Sequence, residues 1–159
     1  MALVDFARAP AVGLDHLTDL SIDFGPVQVF TTPLGTRVNY VIDSGVVDGP
    51  MLRGTLLPGG GDWIVVGADG IARLDVRATI RTHDDQLVQL FSTGLVEMDP
   101  GARERYTAGE LLAWDDVYAR SVPRFDTGAA AYTWLNRAVT VAVNQVSLDH
   151  VDYRIFVVR

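Results

Sequence analysis

The residues best suited to chemistry follow a glycine-rich break in the chain. The segment Leu57-Pro58-Gly59-Gly60-Gly61-Asp62-Trp63 separates two strand-like runs. Consecutive glycines permit positive φ and close backbone approach, so the chain can turn sharply and direct Asp62 and Trp63 into a pocket. A carboxylate beside an indole could move a proton against an apolar wall. The alternative is a plain turn in which Asp62 accepts backbone hydrogen bonds.

Other polar and aromatic residues could complete this site if the strands converge. We predict two catalytic residues, with Asp62 as the general acid or base and Arg37 stabilising a developing oxyanion. The predicted substrate-binding residues are Asn39, Trp63, Asp75, Arg77, Tyr132, Trp134 and Asn136. Trp63 and Trp134 would supply hydrophobic walls, and the amides would orient the ligand. The alternative is that both tryptophans belong to the core and Asn136 bonds the backbone.

One strand presents a fully polar face. Alternate residues from Arg73 to Arg81 are charged or hydroxylic, with Asp75 between Arg73 and Arg77. If this face pointed inward, the arginines could bind a carboxylate or an enolate. If it pointed outward, it would be a solvated strand face, which is common in antiparallel sheets. We expect Arg73 and Arg81 to point outward and keep Asp75 and Arg77 as candidates.

Several classes of site find no support in the sequence. The three histidines, His16, His83 and His150, have no metal-binding spacing, and the 159 residues include no cysteine. There is no GxSxG elbow, no GxxxxGK[ST] loop and no GxGxxG fingerprint. We therefore predict no metal and no cofactor.

Composition indicates one domain that spans residues 1–159. The chain is 48% hydrophobic and carries a formal net charge of −7, with its basic residues scattered. Nucleic acid is an unexpected partner, because binding to phosphates normally needs a positive surface. No apolar run approaches the length of a membrane span, so we expect no membrane association and a cytoplasmic location. A homo-oligomer is plausible.

Short strand patterns dominate the chain and predict an all-β fold. Residues 1–21 read as an irregular lead-in, and residues 99–128 as a long excursion or lid. The predicted strands cover residues 22–30, 36–47, 51–57, 63–66, 71–81, 87–98, 132–146 and 151–158. Their regular succession favours a single antiparallel β-barrel of about eight strands, with a sandwich as the alternative.

Four short motifs make the sequence resemble a known family. They are Gly49-Pro50, Leu57-Pro58-Gly59-Gly60 with Asp62-Trp63, Phe125-Asp126-Thr127-Gly128 and Tyr132-Thr133-Trp134-Leu135-Asn136. Their order and spacing are similar to those of the domain-of-unknown-function 3237 family, from about Arg37 to the C-terminus. The resemblance implies a compact antiparallel barrel, similar to allene oxide cyclase and lipocalin-like barrels. Barrels of that kind include cofactor-free cyclases and simple carriers.

Three functions are compatible with such a barrel. The leading hypothesis is a cofactor-independent acid/base enzyme, a cyclase, isomerase, lyase or hydrolase, acting on a small apolar or aromatic oxygenated metabolite. The second is a non-catalytic carrier or sensor, and the third is an oligomeric structural barrel. An enzyme requires a titratable group facing a cavity, a carrier requires only an apolar cavity, and a structural barrel has a filled interior.

Overall fold

The computed structural model describes residues 9–159, and within this range the chain consists mainly of antiparallel strands. Ten strands are present: β1 (Leu14–Phe24), β2 (Gln28–Thr32), β3 (Gly35–Asp48), β4 (Gly54–Leu56), β5 (Gly61–Val66), β6 (Ala72–Thr82), β7 (Leu87–Glu97), β8 (Tyr118–Asp126), β9 (Thr140–Val146) and β10 (His150–Val158). Helix α1 (Pro100–Thr107) follows β7, and a 3₁₀ helix (Ala130–Arg137) precedes β9. No helix in the described range is long and apolar enough to cross a membrane.

The strands close into an antiparallel barrel with eight strand positions. From β6 to β10 each strand pairs with the next along the chain, β10 pairs with β1, and β1 pairs with β3. Strands β1 and β2 follow one another along β3, and β4 and β5 together bridge β3 and β6. The predicted all-β barrel of about eight strands is confirmed.

Alternation within the strands separates the barrel interior from its surface. In β6, Leu74, Val76 and Ala78 are buried, while Arg73 and Arg77 are exposed. Successive side chains in a strand point to opposite faces, so the apolar set fills the interior. The face of β6 that carries its charges is therefore the solvated outer face.

The interior is packed at one end of the barrel. Its largest fully buried side chains include Leu17, Ile42, Ile80, Leu90 and Ile155. Tyr132 and Leu135 of the 3₁₀ helix join the same cluster and close this end. A smaller cluster around Leu74, Val96 and Leu112 packs against α1 at the other end.

Helix α1 is bounded by local signals in the sequence. The side chain of Asp99 accepts a hydrogen bond of 2.7 Å from the backbone N–H of Ala102, and Pro100 occupies the first turn. Gly109 follows the helix with a φ of +88°, a conformation that glycine adopts readily. These signals keep the helix short, and Ala102 and Tyr106 pack it against one end of the barrel.

The predicted irregular lead-in is wrong from Leu14 onward, where β1 begins; residues 1–8 lie outside the described range. A register shift between His16 and Thr18 interrupts the alternation that would have revealed the strand. The predicted excursion, residues 99–128, contains α1 but also strand β8. Small and polar residues on the inner face of β8, together with Pro123, hid its pattern.

The predicted strand over residues 132–146 is half correct. Only Thr140–Val146 forms a strand, and Ala130–Arg137 is the 3₁₀ helix. Aromatic residues and threonine raise strand propensity in this segment, but the packing of Tyr132 and Leu135 against the barrel end determines its conformation.

Candidate functional site

A cavity of about 320 Å³ lies in the half of the barrel beneath α1. Its walls are predominantly apolar and include Val38, Ile64, Val66, Leu74, Val96 and Val146. Arg103 and Thr107 of α1 also line it and are exposed, so the mouth lies on the side of this helix. A concave apolar site with a few polar groups is the usual form of a small-molecule site.

The glycine-rich break positions Asp62 inside this cavity. Gly59 has a φ of +99°. A Cβ on Gly60 would lie 2.5 Å from the carbonyl oxygen of Arg77, and one on Gly61 would lie 2.4 Å from that of Tyr40. Only glycine permits these approaches, which allow β5 to begin between β3 and β6 with Asp62 on the inner face.

Asp62 is a buried carboxyl group with little polar compensation. Its residue is 5% exposed, and Oδ1 accepts one hydrogen bond of 2.9 Å from the backbone N–H of Asp75. Burial raises the pKa of Asp62 from 3.8 to about 7, although the Asp75 N–H acts in the opposite direction. Both protonation states of Asp62 are therefore accessible near neutral pH.

Two phenols lie close to Asp62 on the side of α1. Tyr40 is the direct cross-strand neighbour of Asp62, and its hydroxyl lies 2.8 Å from that of Tyr106. Burial raises the pKa of Tyr40, and it also raises the pKa of Tyr106 far above its ordinary value. Both phenols therefore keep their protons at neutral pH, and one hydroxyl donates to the other.

Asn144 places an unused donor at the inner part of the cavity. The residue is 1% exposed and lines the cavity. Its Oδ1 accepts a hydrogen bond of 3.2 Å from Ser121 Oγ. Nδ2 makes no hydrogen bond of normal geometry among the described residues, although it lies near the phenol of its cross-strand neighbour Tyr153 and acts to lower the pKa of that group. An unpaired buried amide costs free energy, and a ligand oxygen would remove that cost.

Two more polar residues of β10 line the cavity. Tyr153, the cross-strand neighbour of Asn144, is buried, and burial raises its pKa well above the ordinary value. His150 is bound on both sides, with Nδ1 2.6 Å from Asp23 Oδ1 and Nε2 2.9 Å from Asp152 Oδ1. Burial disfavours the charged imidazole, but the two carboxylates outweigh it and raise the pKa of His150.

Comparison with known proteins identifies the family. The sequence model of a protein family described as of unknown function, DUF3237, matches residues 12–158. The chain belongs to the DUF3237 family. The resemblance carried by the four motifs is thereby confirmed, and the match extends further toward the N-terminus than the motifs do.

Relatives of this DUF3237 protein share both sequence and fold. A UPF0311 protein of Clostridium acetobutylicum is 31% identical over 108 residues, which cover 68% of each chain. A beta-barrel like protein from Acinetobacter baumannii superposes with a TM-score of 0.81 at 26% identity, covering 96% of this chain and 99% of that one. A structure described as an enzyme from Penicillium herquei has a TM-score of 0.71 at 19% identity, covering 96% and 98%. The last similarity shows the fold alone.

Of the nine site residues predicted for this DUF3237 protein, Asp62 lines the cavity. Trp63, the next residue in β5, points outward and is 37% exposed, because successive side chains of a strand alternate. Arg37 and Asn39 lie on the outer face of β3, where Asn39 Nδ2 donates to Gln28 Oε1 over 3.3 Å. None of these three residues lines the cavity.

Asp75 and Arg77 also lie on the outer surface. Their side chains are about half exposed and pair with each other at 3.5 Å. The backbone N–H of Asp75, not its carboxylate, reaches Asp62. Of the two orientations considered for the polar face of β6, the structure therefore shows the outward one.

The three residues predicted from the motif Tyr132-Thr133-Trp134-Leu135-Asn136 lie at the filled end of the barrel. Tyr132 donates a hydrogen bond of 2.7 Å to Asp84 Oδ1, and Trp134 packs against the main core. Asn136 accepts from the N–H of Thr127 over 2.9 Å and donates to its carbonyl oxygen over 2.8 Å. These bonds fix the 3₁₀ helix to the end of β8, away from the cavity.

Sequence reasoning missed several cavity residues: Tyr40, Arg103, Tyr106, Asn144, His150 and Tyr153. The most informative signal was available at Tyr40, which shares a strand face with Val38 and Ile42. An apolar face is normally the inner face of a barrel strand, so Tyr40 was the better candidate than Arg37 or Asn39.

Proposed function

We propose that this protein is an enzyme that transfers a proton within a small, largely apolar, oxygenated molecule, with Asp62 as the general acid or base. The observation that supports the proposal best is a buried carboxyl group with a pKa of about 7 facing an apolar cavity. A general base works best when its pKa lies near the operating pH. Perturbed acids in clefts are typical of functional sites.

The neighbouring donors suit charge that develops during such a transfer. When Asp62 removes a proton from a carbon or a hydroxyl of the substrate, negative charge develops on a substrate oxygen. Asn144 Nδ2 is a donor for that oxygen, and the Tyr40 hydroxyl is a second one when Tyr106 donates to Tyr40. Protonated Asp62 then returns the proton at another position. Isomerisation, cyclisation and elimination all follow this scheme.

A carrier would need the apolar walls but not the carboxyl group. Burying an ionisable group costs free energy, and a carrier that only holds an apolar ligand would gain nothing from Asp62 at this position. The Penicillium herquei structure, described as an enzyme, is an instance of catalysis on a similar barrel and supports the proposal as an analogy.

A model reaction can test Asp62 before the natural substrate is identified. In the Kemp elimination of 5-nitrobenzisoxazole, a base removes one proton from carbon and the ring opens to a coloured phenolate. We expect catalysis to rise with pH through about 7, as Asp62 becomes ionised. Asp62→Asn should lower the rate by about a hundredfold, the lower range for a positioned general base.

Asp75→Asn is the matched control for this experiment. It removes a carboxylate only one strand away, but from the outer surface. The charge of Asp75 contributes to the raised pKa of Asp62, so the two proteins are compared above about pH 8, where Asp62 is ionised in both. There the rate of Asp75→Asn should stay within about twofold of the wild type, since surface charges are screened by solvent. Equal rates in wild type and Asp62→Asn would overturn the role of Asp62. Binding of the compound without turnover would favour a carrier.

A further inference from the structure

Arg103 is the cationic side chain of α1 that lines the cavity. Its Nη2 donates a hydrogen bond of 3.1 Å to the carbonyl oxygen of Gly70, in the turn between β5 and β6. This bond spans the edge of the cavity, from the helix to the opposite hairpin. The hydrogen bond therefore holds the Arg103 guanidinium at the mouth of the cavity.

Most of the binding capacity of Arg103 remains unused. A guanidinium has five N–H donors, and the bond to Gly70 occupies one. Within residues 9–159, no carboxylate forms an ion pair with Arg103, whereas Arg105 on the same helix pairs with both Glu110 and Asp116. A guanidinium at the mouth of a cavity, with donors that no protein group uses, is suited to a carboxylate.

The second donor lies deeper in the same cavity. Asn144 is buried and lines the cavity, and its Nδ2 makes no hydrogen bond of normal geometry in the described part of the chain, where the Tyr153 phenol is its polar neighbour. The space between the two donors is bounded by aliphatic side chains such as Val66, Leu74 and Val96. The cavity therefore offers a cation at its mouth, an apolar middle section and a neutral donor inside.

We infer that the substrate is an apolar carboxylic acid whose carboxylate binds Arg103 and whose reacting oxygen lies toward Asn144 and Asp62. This assignment rests on the proposed function and adds the substrate class and its orientation. The anion binds on the Arg103 side of the mouth. On the other side, His150 is already bound by Asp23 and Asp152, and this group repels a second anion.

Calorimetric titration with octanoate and with 1-octanol tests the inference. The two probes have the same hydrocarbon chain and differ in the charge of the head group. At about pH 6, below the pKa of Asp62, the cavity carboxyl group is mostly neutral and does not repel octanoate. We expect Arg103→Gln to weaken octanoate binding about tenfold, as for a lost charge-assisted hydrogen bond, and to change octanol binding less than about twofold.

Arg137→Gln provides the matched control. It removes the same charge from an exposed position in the last turn of the 3₁₀ helix, at the filled end of the barrel. Neither probe should respond to it. Equal weakening of both probes in Arg103→Gln would mean that Arg103 only holds the helix, and this would overturn the inference. Failure of wild type to bind octanoate would also overturn it. If the octanoate experiment fails but Kemp catalysis depends on Asp62, the substrate class is wrong and the proposed function is retained.

Discussion

Replacing Asp62 with asparagine should stabilise the protein at alkaline pH. Asparagine has nearly the same shape, keeps an oxygen to accept the N–H of Asp75 and carries no charge. Wild type must hold an ionised carboxylate in a buried position once the pH exceeds about 7. The variant avoids that desolvation, so its advantage should grow as the pH rises.

The size of the effect follows from the pKa shift. The pKa of Asp62 rises from 3.8 to about 7. Since one pKa unit corresponds to about 1.4 kcal/mol, full ionisation destabilises the folded state by about 4 kcal/mol. The folded pKa is the higher one, so the folded state binds more protons between the two values and stability falls with rising pH in that window. At about pH 5 roughly 1.5 kcal/mol of the penalty is present, and at about pH 8 nearly all of it is.

Urea unfolding of both proteins at the two pH values measures this difference. The free energy of unfolding of wild type, relative to Asp62→Asn, should fall by about 2.5 kcal/mol between about pH 5 and pH 8. Other titrating groups, His150 among them, are present in both proteins and cancel in the comparison. Parallel pH profiles for the two proteins would refute the assignment of a raised pKa to Asp62.

Two further predictions concern the structure that surrounds the site. Gly60→Ala should lower the free energy of unfolding by about 1–3 kcal/mol, because its Cβ would lie 2.5 Å from a carbonyl oxygen of β6. Gly128→Ala, where nothing lies within 4 Å, is the control, and equal stability of the two variants would contradict the steric requirement. Asn136→Ala should cost about 1–2 kcal/mol in urea unfolding, because two hydrogen bonds to the backbone of the preceding loop are lost. An unchanged midpoint would show that these bonds contribute nothing.

The barrel could be predicted because its strands have regular alternation and clear turns. The polar and apolar faces of β6 are unambiguous in the sequence, and so is the Asp69-Gly70 turn before it. Strands β1 and β8 could not be predicted in the same way. A register shift interrupts one, and the inner face of the other carries Ser121 and Pro123 in place of large apolar residues.

The site was only partly predictable, because both faces of β5 carry apolar residues and alternation alone does not say which of them points inward. Asp62 and Trp63 are adjacent in β5, so they cannot both face the cavity. The glycine-rich break pointed to β5, whose Asp62 lines the cavity, but Trp63, expected to form a cavity wall, lies on the outer face. Asn144 has no local signal at all. Its candidate role rests on its burial and on the hydrogen bonds that its side chain makes in the folded barrel, and neither can be inferred from the neighbouring residues in the sequence.

The division of the barrel into a filled end and a hollow end links the fold to the proposed chemistry. Side chains such as Ile80 and Leu90 pack one end to near-complete burial, and the 3₁₀ helix closes it. That packing supplies stability, which allows the other end to retain a cavity and to tolerate the cost of a buried acid. Because Asp62 lowers stability wherever it is ionised, its retention at the boundary between the two ends is best explained by a function that uses its proton.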